Sequence, residues 1–318
     1  MRAPVAFMIF NRPDLTEQVF AEIARAKPDR LFVIADGPRA GVADDEEKCR
    51  AARAVIEKVD WPCEVSTNYS DVNLGCAHRP SSGLRWLFEQ VDEAVILEDD
   101  CLPHPSFFRF CDELLERYRD DTRVMHVSGN QFLTKPPTSL SYLFSRYCLS
   151  WGWATWRRAF QYYDFNISLW PELRDTGWLV DNLRDAREVD HWRRIFDRTH
   201  ADVAAVNTWD FQWVFACWAQ SGLSVLPSVN LVSNIGFRSD ATHTKEKSGH
   251  RANSNNELSF PLRHPAHMVR DLDADALFFD TCVPGPGRID RLKQRCADAL
   301  TRMVRDPLRR GSSVPAAQ

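Results

Sequence analysis

The chain has 318 residues, 44% of them hydrophobic and 26% charged, which excludes disorder for most of its length. Its formal net charge of −4 leaves no global basic field to drive nucleic-acid binding. No apolar run reaches the roughly 18 residues needed to span a bilayer. Its nine cysteines are scattered and contain no C-x-x-C pair, so buried reduced thiols of a cytoplasmic protein are expected.

Residues 5–10 (VAFMIF) form a continuous apolar run, the pattern of a strand buried on both faces. The run is too short for a secretory h-region, and no small-residue cleavage site follows. Asn11-Arg12-Pro13-Asp14 then starts a helix, with Leu15, Val19, Phe20 and Ile23 on one face. Lys27-Pro28 stops it. Residues 31–36 (LFVIAD) predict a second buried strand, broken at Gly37-Pro38. Asp44, Asp45, Glu46 and Glu47 open a second helix, where the helix dipole favours acids. Residues 63–68 predict a weaker third strand, followed by a polar loop through Asn73-Leu74-Gly75. A third helix runs to about Val91, and residues 94–98 (AVILE) predict a fourth strand that ends in Asp99-Asp100.

Four strand–helix units in sequence predict an α/β fold with parallel strands and right-handed crossovers. Ligands of such sheets bind outside the carboxyl ends of the strands. Asn11, Arg12, Asp36, Asn73, Gly75, Glu98, Asp99 and Asp100 all fall at such ends. The first turn lacks G-x-G-x-x-G, and no G-x-x-x-x-G-K-[ST] occurs, which argues against a dinucleotide site or a P-loop. Glu98-Asp99-Asp100 reads either as a solvated acidic turn or as oxygen ligands for Mg²⁺ or Mn²⁺. In an extended strand Glu98 and Asp100 would share a face. Asp36 is either part of a strand-ending turn or a carboxylate for a nucleobase or ribose. Arg12 either pairs with a pyrophosphate or lies along the surface.

Nine of the eleven tryptophans lie between Trp151 and Trp218. Trp153 and Trp156 have helical spacing, which predicts core packing; Trp151-Gly152-Trp153 reads alternatively as a platform for a sugar ring. Residues 209–220 are apolar nearly all round and predict a buried helix. Asp210 at its start is either a cap or a general base. Residues 224–227 predict a short strand, and the polar stretch 238–258, with His243, predicts a mobile loop. After Pro284-Gly285-Pro286-Gly287, a basic amphipathic pattern spans 288–310, with Ile289, Leu292, Cys296, Leu300 and Met303 on one face. Such a helix either docks on the rest of the protein or lies on an anionic membrane surface. Residues 311–318 are expected to be disordered.

The stretches VAFMIFNRPD, LFVIADGPR, NLGCAHRP, AVILEDDCLPHPSFF, LSWGWATWRRAF, TWDFQWVFACWAQSGLSVLP and SNIGFRSDATHT, spread over residues 5–245, resemble nucleotide-sugar glycosyltransferases of the GT-A type. The likeness is to bacterial family-2-like enzymes with features of the N-acetylglucosaminyltransferase I group. It implies a GT-A fold: a mostly parallel central sheet flanked by helices, a Trp-rich acceptor side and a C-terminal helix. It divides the chain into a nucleotide-sugar half at 1–130, an acceptor half of the same domain at 131–283, and a tail at 284–318.

The resemblance also implies roles. Asn11, Arg12, Asp36, Asn73, Glu98, Asp99, Trp151, Gly152 and Trp153 would bind the nucleotide and donor sugar, with Arg12 near the diphosphate and Asp36 reading the base. Asp100 would bind Mn²⁺ or Mg²⁺, joined by His243 when its loop closes. Asp210 would be the catalytic base; the family pattern has two acids before the Trp, and here the second is Phe211. The implied reaction is inverting transfer from a nucleotide-diphosphate-sugar, with UDP-sugar favoured, to a glycan or lipid-linked glycan. The setting would be cytoplasmic or peripheral on the inner membrane face, in polysaccharide biosynthesis. A sugar-nucleotide nucleotidyltransferase and a non-catalytic sugar-binding protein on the same scaffold are the alternatives.

Overall fold

The structure is a computed structural model and describes residues 1–133, 135–183, 185–237 and 254–282. Strands β1 (Val5–Ile9), β2 (Arg30–Ala35), β3 (Glu64–Tyr69) and β4 (Glu93–Glu98) alternate with helices α1 (Pro13–Ala26), α2 (Asp45–Ala54) and α3 (Gly75–Phe88). Next come β5 (Cys101–Pro103), α4 (Pro105–Arg117), β6 (Val124–Ser128), β7 (Tyr142–Ser145) and β8 (Trp153–Trp156). Helices α5 (Arg157–Phe160), α6 (Trp170–Arg174), α7 (Trp178–Leu183), α8 (Ala186–Ala201) and α9 (Val203–Val206) lead to α10 (Asp210–Ala219). The last described elements are β9 (Leu223–Pro227), β10 (Val232–Asn234) and α11 (Leu272–Cys282).

One mixed sheet carries the fold, in the order β3-β2-β1-β4-β8-β6-β9-β7. The expected α/β class is therefore found, with the large sheet between layers of helices. The first four strands are parallel. Their order reverses direction at β1: the chain steps outward to β2 and β3, then crosses back to place β4 on the other side. The crevice between β1 and β4 is thus the topological switch point, where open α/β sheets bind ligands.

Beyond β4 the sheet is mixed. β8 runs antiparallel to both β4 and β6, and β7 antiparallel to β9. The two sequence halves therefore share one sheet. Trp153 and Trp156 are packed in the core as expected, but from a strand and not a helix, and there a separation of three puts them on opposite faces. Trp153 enters the core with Met8, Ile34 and Leu84, while Trp156 enters the one with Phe7, Val33 and Phe107. The third helix ends at Phe88, short of the expected Val91.

Cys49, Cys101, Cys111, Cys148 and Cys217 are buried free thiols. Among the described residues, no helix is long and apolar enough to cross a membrane. His243, most of the polar loop, the basic pattern at 288–310 and the tail at 311–318 lie outside the described residues.

Candidate functional site

The register of β1 on β4 pairs Met8 with Glu98, so the residues just past each strand emerge side by side. Arg12, the N-cap of α1, bridges both aspartates of the acidic turn. Its Nη2 donates to Asp99 Oδ1, its Nε to Asp99 Oδ2 at 3.4 Å, and its Nη1 to Asp100 Oδ2 at 3.0 Å. Asp99 also accepts from the Phe10 amide at 3.3 Å. Arg12, expected near a diphosphate, is thus a clamp on two carboxylates.

Glu98 completes the acidic group without an arginine of its own. Burial, then the charges of Asp100 and Asp99, push its carboxyl up to about 8 against the opposing pull of Arg12. The guanidinium of Arg12 contacts Asp99 and Asp100 and leaves the raised carboxyl of Glu98 beside them. The chain turns at Asp99–Asp100, so the extended-strand geometry ends there and β5 begins. β10 pairs antiparallel with β5, and the Ile235 amide donates to the Asp100 carbonyl at 2.8 Å. A side chain at Gly236 would collide with the Asp100 carboxylate, so only glycine allows this approach.

Asp36, at the end of β2, is buried and already holds four donors. Oδ1 accepts from the Gly37 amide at 2.9 Å and the Leu74 amide at 2.8 Å. Oδ2 accepts from the Gly75 amide at 2.9 Å and Asn73 Nδ2 at 3.0 Å. Its carboxylate therefore fixes the loop that starts α3, and this is a different task from reading a base directly. Asn73, on that loop, borders the cavity. Asn11 does not; its Nδ2 donates to Asp45 at 2.7 Å.

The tryptophan loop divides in the same way. Trp151 borders the cavity, with its ring edge-on to Phe132 and Phe237 at centroid distances of 5.1 and 5.6 Å. Gly152 turns the chain at φ +66°, and its carbonyl accepts from the Gly129 amide at 2.7 Å. Trp153 is fully buried and stacked on His126 and Trp209, so it supports the loop and cannot be a sugar platform. His126 is a neutral strut: Nε2 donates to the Leu149 carbonyl at 3.1 Å, and Nδ1 accepts from Trp213 Nε1 at 3.1 Å. Ser128 Oγ donates to the same carbonyl at 2.8 Å.

Asp210 is the first residue of α10 and accepts from Thr208 Oγ1 at 2.5 Å. It is not among the residues that line the cavity, but its charge helps raise Glu98 and the Cys76 thiol, which are.

These ends converge on one cavity of about 370 Å³. Arg12, Asp36, Asn73, Glu98, Asp99, Asp100 and Trp151 line it together. Arg39, Arg79, Asn207 and Gly236 also line it and were missed by sequence reasoning. Arg39 had a signal, being a polar residue a few positions past the end of β2, whereas Arg79 lies inside α3. Among the described residues, no group of three or more His, Cys, Asp and Glu is arranged to hold a metal ion. The oxygen donors nearest to such a role are the adjacent carboxylates of Glu98, Asp99 and Asp100, of which the two aspartates are already paired with Arg12.

No family model matches the chain, and no curated protein matches it. Among solved structures, a UDP-glucose pyrophosphorylase complexed with UDP-glucose is similar over 46% of this chain and 62% of its own, at 13% identity and TM-score 0.27. A 4-diphosphocytidyl-2C-methyl-D-erythritol synthase from Anaerococcus prevotii is similar over 49% and 72%, at 11% identity and TM-score 0.32. Mouse xyloside xylosyltransferase 1 in its apo form is similar over 69% and 81%, at 9% identity and TM-score 0.33. Likeness at this level concerns overall architecture alone. Function is therefore read from the cavity.

Proposed function

We propose that the protein is a glycosyltransferase of the GT-A type, which moves a sugar from a nucleotide-diphosphate-sugar to a hydroxyl of a glycan or lipid-linked glycan. UDP-sugar is the favoured donor. The observation that carries this reading is the meeting of the acidic turn, the Asp36–Asn73 loop and Trp151 in one cavity at the sheet's switch point. Open α/β sheets bind their ligands in the crevice at such a switch point.

Asp100 and Glu98 would hold Mn²⁺ or Mg²⁺, which supplies charge neutralisation of the diphosphate. Arg12 holds the carboxylates of Asp99 and Asp100 in place. Asp210 takes the proton from the acceptor hydroxyl as its oxygen bonds to the anomeric carbon. The bond from that carbon to the diphosphate oxygen breaks in the same displacement, so the configuration inverts. Trp151 offers its ring to the sugar C–H face.

Differential scanning fluorimetry with nucleoside diphosphates, with and without Mn²⁺, tests the nucleotide reading. A ligand at a hundredfold excess over its dissociation constant should add about 2.7 kcal/mol of stability. If no nucleotide shifts the melting temperature, the reading is wrong. Mass spectrometry of UDP-sugar incubations should then show released UDP; pyrophosphate-dependent formation of UTP would point to nucleotidyl transfer instead. Unchanged turnover in Asp210→Asn, with loss in Asp100→Asn, would reject Asp210 as the base.

A further inference from the structure

Three arginines border the cavity, and their partners separate them. Arg12 directs Nε, Nη1 and Nη2 at Asp99 and Asp100. Arg79 is 7% exposed and directs Nη2 into the wall, at the backbone and side-chain oxygens of Asn68. Arg39 is arranged differently. Its side chain is 49% exposed, its Nε donates to Asp45 Oδ2 at 2.7 Å and its Nη2 to Asp45 Oδ1 at 2.8 Å. Among the described residues no partner takes its Nη1.

The group that grips Arg39 is itself fixed. Asp45, in the first turn of α2, is 1% exposed. It also accepts from Asn11 Nδ2 at 2.7 Å and from the Arg39 amide at 3.1 Å. The Phe10 ring lies 5.5 Å from the guanidinium carbon. One edge of a planar fork is thus locked on a buried carboxylate, and the other edge is left for the cavity that Arg39 borders. A guanidinium held in this way is pre-organised, and oxyanions are its preferred partners. The acidic turn cannot attract an anion unaided, and Arg12 is already matched there.

We propose that Arg39 is the ligand-contacting cation of the cavity and donates from its free edge to a phosphate of the bound nucleotide. Asp45 and Asn11 are its positioning residues. This inference rests on the nucleotide reading above, but it assigns the phosphate contact to the loop after β2 instead of to Arg12.

Isothermal titration of the full chain with UDP and with uridine, in Mn²⁺, tests it. Arg39→Ala alone would leave Asp45 buried without its counter-charge, so the substitution is made together with Asp45→Asn, and Arg39→Lys is measured beside it. The double variant should bind UDP about ten- to a hundredfold more weakly, the loss expected for a charge-assisted hydrogen bond. Arg39→Lys should lose less, because it keeps the charge and not the fork. Uridine affinity should stay level in both. Equal losses for UDP and uridine would place Arg39 on the nucleoside and overturn the proposal. Wild-type UDP affinity in both variants would overturn it and leave the nucleotide reading intact. A wild-type protein that binds neither compound would defeat both. If the double variant does not fold, Arg39→Lys decides alone: a change of less than about twofold in UDP affinity rejects the phosphate contact.

Discussion

In the parallel half, β1 to β4, every charged residue of the cavity is found, and two of its arginines are held by opposite charge: Arg12 on Asp99 and Asp100, Arg39 on Asp45. In the tryptophan-rich half the lining residues, Trp151, Asn207, Asn234, Gly236 and Phe237, are all uncharged. Trp151 is held by a buried neutral network, in which His126 and Ser128 both donate to the Leu149 carbonyl. The difference comes from the local dielectric. Around the strand ends Asp99 and Asp45 are buried, and each is paired with an arginine that reaches toward solvent. The loop before β8 runs over an aromatic core, where an unpaired charge would cost far more than a hydrogen-bonded neutral group.

The largest contrast should come from Trp153→Ala. Emptying a fully buried indole site should lower the stability of the fold by about 3–5 kcal/mol, read from the urea midpoint. A loss below about 1 kcal/mol would mean that the tryptophan half is loosely packed. Asp36→Ala makes the complementary cut in the parallel half. It leaves the Gly37, Leu74 and Gly75 amides without their acceptor. The expected cost is about 1–3 kcal/mol, with weakened UDP binding because Asn73 loses its anchor. Full UDP affinity in that variant would show that the loop is held by other means.

The effect that sharpens the contrast most is in pH, and within any one pH unit it is small. Burial holds His126 down to about 3 from its ordinary 6.5. As pH falls below 6.5 the unfolded chain takes up a proton that the native imidazole refuses. Native stability should therefore decline by about 1.4 kcal/mol per pH unit from this group, until its folded value is reached. Urea titrations of wild type and His126→Gln across that range check the slope; equal slopes would show that His126 does not set it.

Much of the parallel half was legible because its signals are local. A buried strand is a run of apolar residues, and the polar residues just past its carboxyl end must face the crevice. That logic placed Arg12, Asp36, Asn73 and the acidic turn at one end of the sheet without any contact information. It could not show that Arg12 would turn to Asp99 and Asp100, or that Asp36 would be saturated by the loop before α3, since both depend on partners far along the chain. The tryptophan half was less legible. Trp153 and Trp156 fit a helical period as well as a strand, and only their insertion between β4 and β6 decides. Asn207 gave no pattern at all: it lines the cavity through a left-handed turn at φ +49° between α9 and α10.

The short ribbon of β5 and β10 has a consequence for the order of assembly. The backbone at Asp100 is bonded to Ile235, and Cys101 is paired with Asn234, across more than a third of the chain. A chain still growing from the ribosome can complete the first four strands while its acidic turn lacks this brace. The brace on the acidic turn then arrives late in synthesis, when residues 232–236 emerge and settle against a turn made long before.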